Sequence, residues 1–490
     1  MCIFEYTPDE LLGTVESVDT ATVVVKVEND DKLRGLQVNH LISIQSSKIG
    51  QRLIGLVSKI IRKSAYSDPT ADLSPELGFL NGNKLFQRHA VIVGSTGSGK
   101  SWCVAKVLEQ VAALKSADAI LFDIHGEYST LQGDSFTHFK VAGPNDALEK
   151  GMLFLPYWLL TYEEMLSLML DRSDNNAPNQ AMMFSCAVID GKKEFLKNAD
   201  KAEMEANITL DSPIPYCLNT LLDFLKSKDE EMVSGTRGEK QGPYFGKLTR
   251  FIQRLEAKQK DKRLNFMFSS DESLLSYDYM SELCRKLMLP AVAGKKGVKI
   301  IDFSEVPSDI LPLIVSLIAR VIFSVQQWTT VENRHPIAIF CDEAHLYIPA
   351  NTEKSIDDAS LVTFERISKE GRKYGIGLVV ISQRPSEVNR TVLSQSNNFI
   401  TMRLTNADDQ SVVKRLLPDS LGDYAEMLPM LDIGEALVVG DASLLPSRIR
   451  ITPPNLKPRS ATIDFWDEWS KESVSADISG AIEALRKQSK

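Results

Sequence analysis

The sequence predicts an α/β protein with a parallel central sheet, a small β-barrel at the N-terminus and an inserted helical bundle. Three observations carry the prediction. Nearly all-apolar segments recur at Ala90 to Val93, Ala119 to Phe122, Pro336 to Phe340 and Gly377 to Ile381, and strands apolar on both faces belong in a parallel sheet covered on each side. Residues 10–63 alternate instead, in short β-branched runs with polar breaks, the signature of a small barrel or of a plain edge sheet. Between about 150 and 297 the pattern turns helical and more charged, and the sheet resumes at Val298-Lys299-Ile300-Ile301-Asp302-Phe303.

Taken in order, the barrel strands are expected at 12–18, 21–27, 41–44 and 52–57. A linker rich in turn formers follows, from Ser67-Asp68-Pro69-Thr70 to Asn81-Gly82-Asn83. The expected units are a barrel over 1–75, a core over 76–149 and 298–455, a helical insertion over 150–297 and a tail over 456–490. A chain of 490 residues exceeds what one hydrophobic core organises, so two or three domains are expected. With 43% apolar and 25% charged residues the composition is that of a folded protein.

Cys2, Cys103, Cys186, Cys217, Cys284 and Cys341 form no CxxC pair, so neither a disulfide framework nor a zinc site is indicated and a reducing cytoplasm fits. The N-terminus has no basic-then-apolar leader, and the apolar runs near 152–160 and 311–325 are short or broken by Arg320. No transmembrane helix is expected. A formal charge of −9 argues against a generally basic surface, although a ring enclosing a polyanion needs positive charge only along its channel.

Gly94-Ser95-Thr96-Gly97-Ser98-Gly99-Lys100-Ser101 fits GxxxxGK[ST] between an apolar strand and a helix that opens with Trp102. Backbone N–H groups and the helix N-terminus present positive dipole ends to phosphates, and Lys100 adds a full charge. Ser101 offers a hydroxyl to Mg²⁺. Residues 94–102 are therefore the expected ATP-binding segment.

The strand 336–340 ends in Cys341-Asp342-Glu343-Ala344-His345. Asp342 suits Mg²⁺ coordination and Glu343 a general base that polarises water, while His345 fits a packed or supporting role better than a catalytic one. Gln383 follows the strand 378–382 at its carboxyl end, beside the crevice where open α/β sheets bind ligands, placed to sense a γ-phosphate or position water. Arg384 fits either a phosphate contact or a structural ion pair. Arg372, in Glu370-Gly371-Arg372-Lys373-Tyr374-Gly375, is the candidate for a transition-state charge supplied across a subunit interface; with Arg366 and Lys373 it fits a solvated helix face as well. Asp123 and Glu127 also face the crevice, as metal-side groups or as loop anchors.

Together, His89 to Ser101, Phe122 to Tyr128, Phe340 to His345, Glu365 to Gly375, Ser382-Gln383-Arg384-Pro385 and Ile433 to Gly440 resemble the HerA family of DNA translocases, within the FtsK/HerA group of P-loop ATPases. The resemblance implies a RecA-like core, a homohexameric ring around double-stranded DNA, and ATP and Mg²⁺ as cofactors. It assigns Lys100 and Ser101 to the nucleotide loop, Asp342 and Glu343 to the acidic pair, Gln383 to the sensor and Arg372 to the trans-acting arginine. It also implies a separate partner, either a NurA-like nuclease or a sirtuin-like or nuclease effector of antiviral defence. The chain shows no signature of either effector.

From Thr236 to Arg263, nine Lys or Arg stand against three acids, with Tyr244, Phe245 and Phe251 interleaved. That suits phosphate contact, and equally a solvated helix with its aromatics packed inward. Lys295-Lys296 offers a second loop contact. Two rivals to an autonomous translocase remain: a ring that scaffolds and activates a defence effector, and a secretion or conjugation ATPase, which the absence of an expected membrane segment disfavours.

Overall fold

The computed structural model describes residues 12–19, 22–27, 41–45, 52–56 and 62–63 and, from 80 to 487, all but 236–237, 290, 293–294, 353–354, 418–425, 444–445, 460–464 and 472–477. The chain divides into two compact units, Met1–Lys63 with Leu445–Ser447, and the remainder.

In the first unit, β1 (Thr14–Asp19) pairs antiparallel with β2 (Thr22–Lys26), with a register shift between Val15 and Ser17. Next, β3 (Leu41–Gln45) pairs antiparallel with β4 (Arg52–Leu56). These strands fall where the alternation placed them. Closure into a barrel over 1–75 involves residues outside the described set, as does the linker up to residue 79. Asn81-Gly82-Asn83, expected as linker, instead opens a short helix over Gly82–Gln87, because the Asn81 side chain caps it by accepting the Lys84 N–H at 3.0 Å.

The second unit is built on one large sheet. Its strands include β5 (Ala90–Val93), β6 (Asp118–Asp123), β7 (Phe136–Val141), β8 (Met152–Leu153), β9 (Lys295–Asp302), β10 (Ile337–Cys341), β11 (Ile376–Ser382), β12 (Asn398–Met402) and β13 (Glu435–Gly440). They lie in the order β13-β12-β5-β11-β10-β6-β9-β7-β8. Only the β12–β13 pair in this series is antiparallel.

Alternate residues feed two apolar layers. Ala90, Ile92, Leu121, Phe340 and Ile381 face a layer closed by α1 (Lys100–Ala112) through Cys103, Val104 and Leu108. Val91, Val93, Phe122, Cys341 and Val380 face the opposite layer, with Leu313, Ile314 and Ile318 further along the chain. Both layers are dry, so β5, β6, β10 and β11 are buried at every position. This explains why they read as continuous apolar runs.

The region between β8 and β9 contributes α2 (Tyr162–Met169), α3 (Ala177–Asn198), α4 (Leu218–Asp229), α5 (Thr249–Lys260) and α6 (Tyr279–Met288). These helices have no separate core. Trp158, Phe184, Phe251 and Phe266 join the layer that contains Phe122 and Ile301. The same layer holds α7 (Leu311–Trp328) and α8 (Ser355–Glu370). Thr161 and Glu164 cap α2 reciprocally, and Arg320 of α7 bonds both oxygens of Glu164 and the Leu159 carbonyl at 2.7 Å each. Although α7 is long and apolar enough to cross a membrane, 72% of its window is buried inside the protein.

Three strands of this series were not anticipated. β7 carries Thr137, His138 and Lys140 and β12 carries Asn398 and Thr401, so neither reads as an apolar run. The third, β8, has two residues, too few for any pattern, yet it extends the sheet into the stretch expected to be wholly helical. That stretch also contains an antiparallel hairpin, Met232–Gly235 with Gly238–Gln241, and β9 begins at Lys295 rather than Val298. At the other end, residues 456–459 lie against the core: the Leu456 N–H donates to Glu109 and the Arg459 N–H to the Glu127 carbonyl.

Candidate functional site

β5 delivers its last residue, Val93, into the loop Gly94 to Gly99, and α1 starts at Lys100. The loop needs glycine at two places for different reasons. A Cβ on Gly94 would stand 2.5 Å from Ser98 Oγ and 2.8 Å from Met402 Cβ, and Gly99 sits at φ 99°, where L side chains are strained. The Ser95 N–H and hydroxyl both donate to the Arg403 carbonyl, at 2.9 and 2.8 Å, which ties the loop to the end of β12. Sequence reasoning missed that anchor, since a backbone carbonyl 308 residues away leaves no sequence mark.

Lys100 is 6% exposed, Asp342 1% and Glu343 3%. The Lys100 ammonium donates to Glu343 Oε1 at 2.7 Å and to Asp342 Oδ1 at 3.4 Å. Burial penalises that ammonium, but the two carboxylates outweigh the penalty and hold its pKa above the ordinary value. Burial pushes Asp342 up to about 6 against the pull of Lys100. Glu343 also feels burial, but Lys100 and Gln383 keep it below the usual carboxylate range. It is therefore ionised at neutral pH, as a general base must be. Its backbone adopts φ 46°, a left-handed conformation uncommon for non-glycine residues.

Gln383 links the two halves of the site. Its Nε2 donates to Glu343 Oε1 at 2.6 Å, and its Oε1 accepts the Thr96 hydroxyl at 2.6 Å. The Gln383 amide thus touches both the phosphate loop and the candidate base. His345 Nδ1 lies 3.4 Å from Glu343 Oε2 and 3.3 Å from Ser382 Oγ, a supporting place beside the base, and burial lowers its pKa. Glu343 Oε2 is buried with no hydrogen-bond partner among the described residues.

The Asp123 and Glu127 alternatives separate cleanly. Asp123 anchors the loop, its carboxylate accepting the N–H groups of Glu127 and Tyr128 at 3.0 and 2.9 Å. Glu127 instead accepts the Ser101 hydroxyl at 2.9 Å, beside the residue expected to offer its hydroxyl to Mg²⁺. Ser101, Glu127 and Asp342 form an all-oxygen donor set, and Asp342 buries a carboxylate that a divalent cation would compensate. Both features fit Mg²⁺, which supplies charge neutralisation at the phosphates when bound.

Three predicted residues stand apart. Trp102 is half-buried on the first turn of α1, with the Lys457 ammonium 5.6 Å from its ring centroid. Arg384 pairs with Glu387 at 2.6 Å, the structural alternative for that residue. Arg372 is exposed on a tight turn, Gly371–Tyr374, just before β11. Gln383 follows the far end of β11, and seven strand residues at 3.3 Å each place the two about 23 Å apart. Arg372 cannot reach the nucleotide loop of its own chain.

In the basic stretch, Thr236 and Arg237 lie outside the described residues, Phe251 is fully buried on α5, and Tyr244 packs against the core. These two aromatics are thus structural. Arg254 and Arg263 are held by Asp171 and Asp261, whereas Arg250, Lys260 and Lys262 are exposed. Of Lys295 and Lys296, only the backbone is described.

A parallel sheet with a phosphate loop after an inner strand, and an acidic pair and glutamine ending the next strands, defines a RecA-like P-loop ATPase, an ATP-hydrolysing enzyme. The chain belongs to the HerA helicase family: the family model described as "Helicase HerA, central domain" matches residues 78–322, half of its length. It is 25% identical to the DNA double-strand break repair helicase HerA of Saccharolobus solfataricus, over 80% of this chain and 70% of that one. With the protein of the same description from Sulfolobus acidocaldarius it shares 25% identity, over 97% of this chain and 94% of the other. The bacterial conjugative coupling protein TrwBdeltaN70 aligns structurally at TM-score 0.48 and 12% identity, covering 78% of this chain and 91% of that one.

Proposed function

We propose that the chain is an ATP-driven motor that translocates along or remodels double-stranded DNA as a homohexameric ring in a reducing cytoplasm, working with a separate nuclease or other effector. The observation that carries this reading is the cluster Lys100–Glu343–Gln383–Thr96, bonded within one subunit, combined with an arginine turn at the opposite end of β11. A site complete in cis except for its transition-state cation requires a neighbour, and six copies closing a ring supply one at every site.

The chain's own groups have distinct tasks. The loop N–H groups from Gly94 to Ser101 and the N-terminus of α1 cradle the phosphates. Lys100 exchanges Glu343 for phosphate oxygen, which frees Glu343 to orient and deprotonate the attacking water. Ser101 and Asp342 would hold Mg²⁺, with Glu127 beside them. Gln383 reports the γ-phosphate to Glu343 and Thr96, and the Arg372 of an adjacent copy neutralises charge developing in transfer.

The test is steady-state ATPase activity with and without linear duplex DNA, for wild type, Lys100→Ala and Glu343→Gln, with the product of an adjacent gene in a parallel series. Stimulation by DNA alone, abolished in both variants, is expected. If DNA has no effect and the adjacent gene's product turns the ATPase on, the ring is the activating scaffold of an effector complex and the autonomous translocase fails.

A further inference from the structure

His89 is a buried residue to which the hydrolytic scheme above assigns no task. It is 3% exposed and adopts φ 53°, left-handed like Glu343. Its imidazole makes two hydrogen bonds. Nδ1 accepts the Leu378 N–H at 2.9 Å, which fixes the proton on Nε2, and Nε2 donates to the Ser368 carbonyl at 3.1 Å. Ser368 lies in the last turn of α8 and Leu378 near the start of β11. One side chain therefore bridges both ends of the segment 368–378, which carries Arg372 at its centre.

Other contacts brace the same turn. The Arg334 guanidinium donates to the Lys373 carbonyl at 3.1 Å and lies 5.3 Å from the Tyr374 ring centroid. Tyr374 meets Phe323 edge-on at 5.4 Å. His89 adds a side-chain link from both ends of the turn to the phosphate loop, because its main chain continues directly into β5, itself paired with β11, and so to Gly94. Its carbonyl is held in turn by Asn398 Nδ2 at 3.0 Å.

We propose that His89 is a positioning residue for Arg372, setting the arginine that one subunit presents to its neighbour and coupling it through β5 to that subunit's own phosphate loop. This rests on the reading of Arg372 as a trans-acting group. Burial lowers the imidazole pKa to about 4, so His89 works as a fixed neutral bridge and not as a proton switch.

His89→Phe keeps a ring and removes both hydrogen bonds, while His89→Gln retains an acceptor and a donor. A displacement of the arginine by about 1 Å is expected to lower kcat roughly 10²-fold, with KM for ATP nearly unchanged and most activity regained in His89→Gln. The deciding experiment co-expresses two differently tagged chains and measures ATPase activity of the mixed assemblies. A Glu343→Gln subunit lacks its own base yet presents an intact arginine, so pairing it with His89→Phe should restore activity at mixed interfaces, as should pairing it with Arg372→Ala. If Arg372→Ala is rescued and His89→Phe is not, His89 acts within its own site or on the fold, and the proposal is overturned while the arginine reading stands. If Arg372→Ala is not rescued, that reading falls and the proposal with it, whatever His89→Phe does. Should His89→Phe fail to assemble, His89→Asn takes its place, since Asn tolerates the left-handed backbone but is too short to span both partners.

Discussion

At the residue scale, the site depends on how one amide and one carboxylate are held. Gln383 bridges Thr96 and Glu343, so Gln383→Leu should lower kcat by about 10²-fold through loss of transition-state organisation. KM for ATP should barely move, and steady-state kinetics read both. Asp342 makes a second prediction. Burial raises it from its ordinary value of 3.8 to about 6, so the ionised carboxylate that a metal needs prevails above that pH and is lost below it. The Mg²⁺ concentration for half-maximal ATPase should therefore rise about tenfold per unit as pH falls below 6. In Asp342→Asn only the nucleotide's own titration should remain. A magnesium dependence that is flat down to pH 5 in the wild type would remove Asp342 from the metal's ligands. The residues that meet at the candidate site, Lys100, Asp342, Glu343 and Gln383, were legible in sequence because a glycine-rich loop and polar residues at strand ends have recognisable spacing. Their partners were not: Ser101 with Glu127 and Gln383 with Thr96 meet only once separate strands lie side by side.

Among the secondary-structure elements, strands with two buried faces announced themselves, whereas those with polar positions, β7 and β12, did not. The helical region was visible as a change of period, but not its merging into the sheet's apolar layer, since nothing in a helix's own sequence names what it packs against. The joint between the two is Arg320, whose guanidinium serves a Glu164 side chain that is only 4% exposed. Removing it strands a buried carboxylate. Arg320→Ala should cost about 3–5 kcal/mol of stability, and Arg320→Lys should fall in between, keeping the charge without the two-pronged fit. Denaturant unfolding followed by tryptophan fluorescence measures both. Equal stability of all three proteins would show that apolar packing alone holds α2 to α7.

For the whole molecule, the proposed trans-acting role of Arg372, about 23 Å from Gln383 along β11, predicts that each subunit's chemistry depends on another copy. Six copies of a 54.6 kDa chain should sediment together at about 330 kDa, and Arg372→Ala should leave that mass intact while suppressing turnover. A stable monomer with full ATPase activity would contradict the ring. DNA affinity should fall steeply with salt if the channel contacts are to phosphates, as a filter-binding series across ionic strengths can establish. Neither a ring nor a polyanionic partner could be read from composition, because a net charge of −9 says nothing of how the individual cations are distributed.

The strand order has a consequence for biogenesis. β5, which leads into the phosphate loop, is flanked by β11 and β12, both encoded almost three hundred residues later. At bacterial-to-eukaryotic elongation speeds of roughly 5–20 residues per second, the nascent β5 waits about 15–60 seconds on the ribosome before either neighbour emerges. During that interval an apolar segment with two unpaired edges is open to the wrong partners. Synthesis of this chain should lean on chaperones that hold such segments, and slowing translation should lower the soluble yield, not raise it.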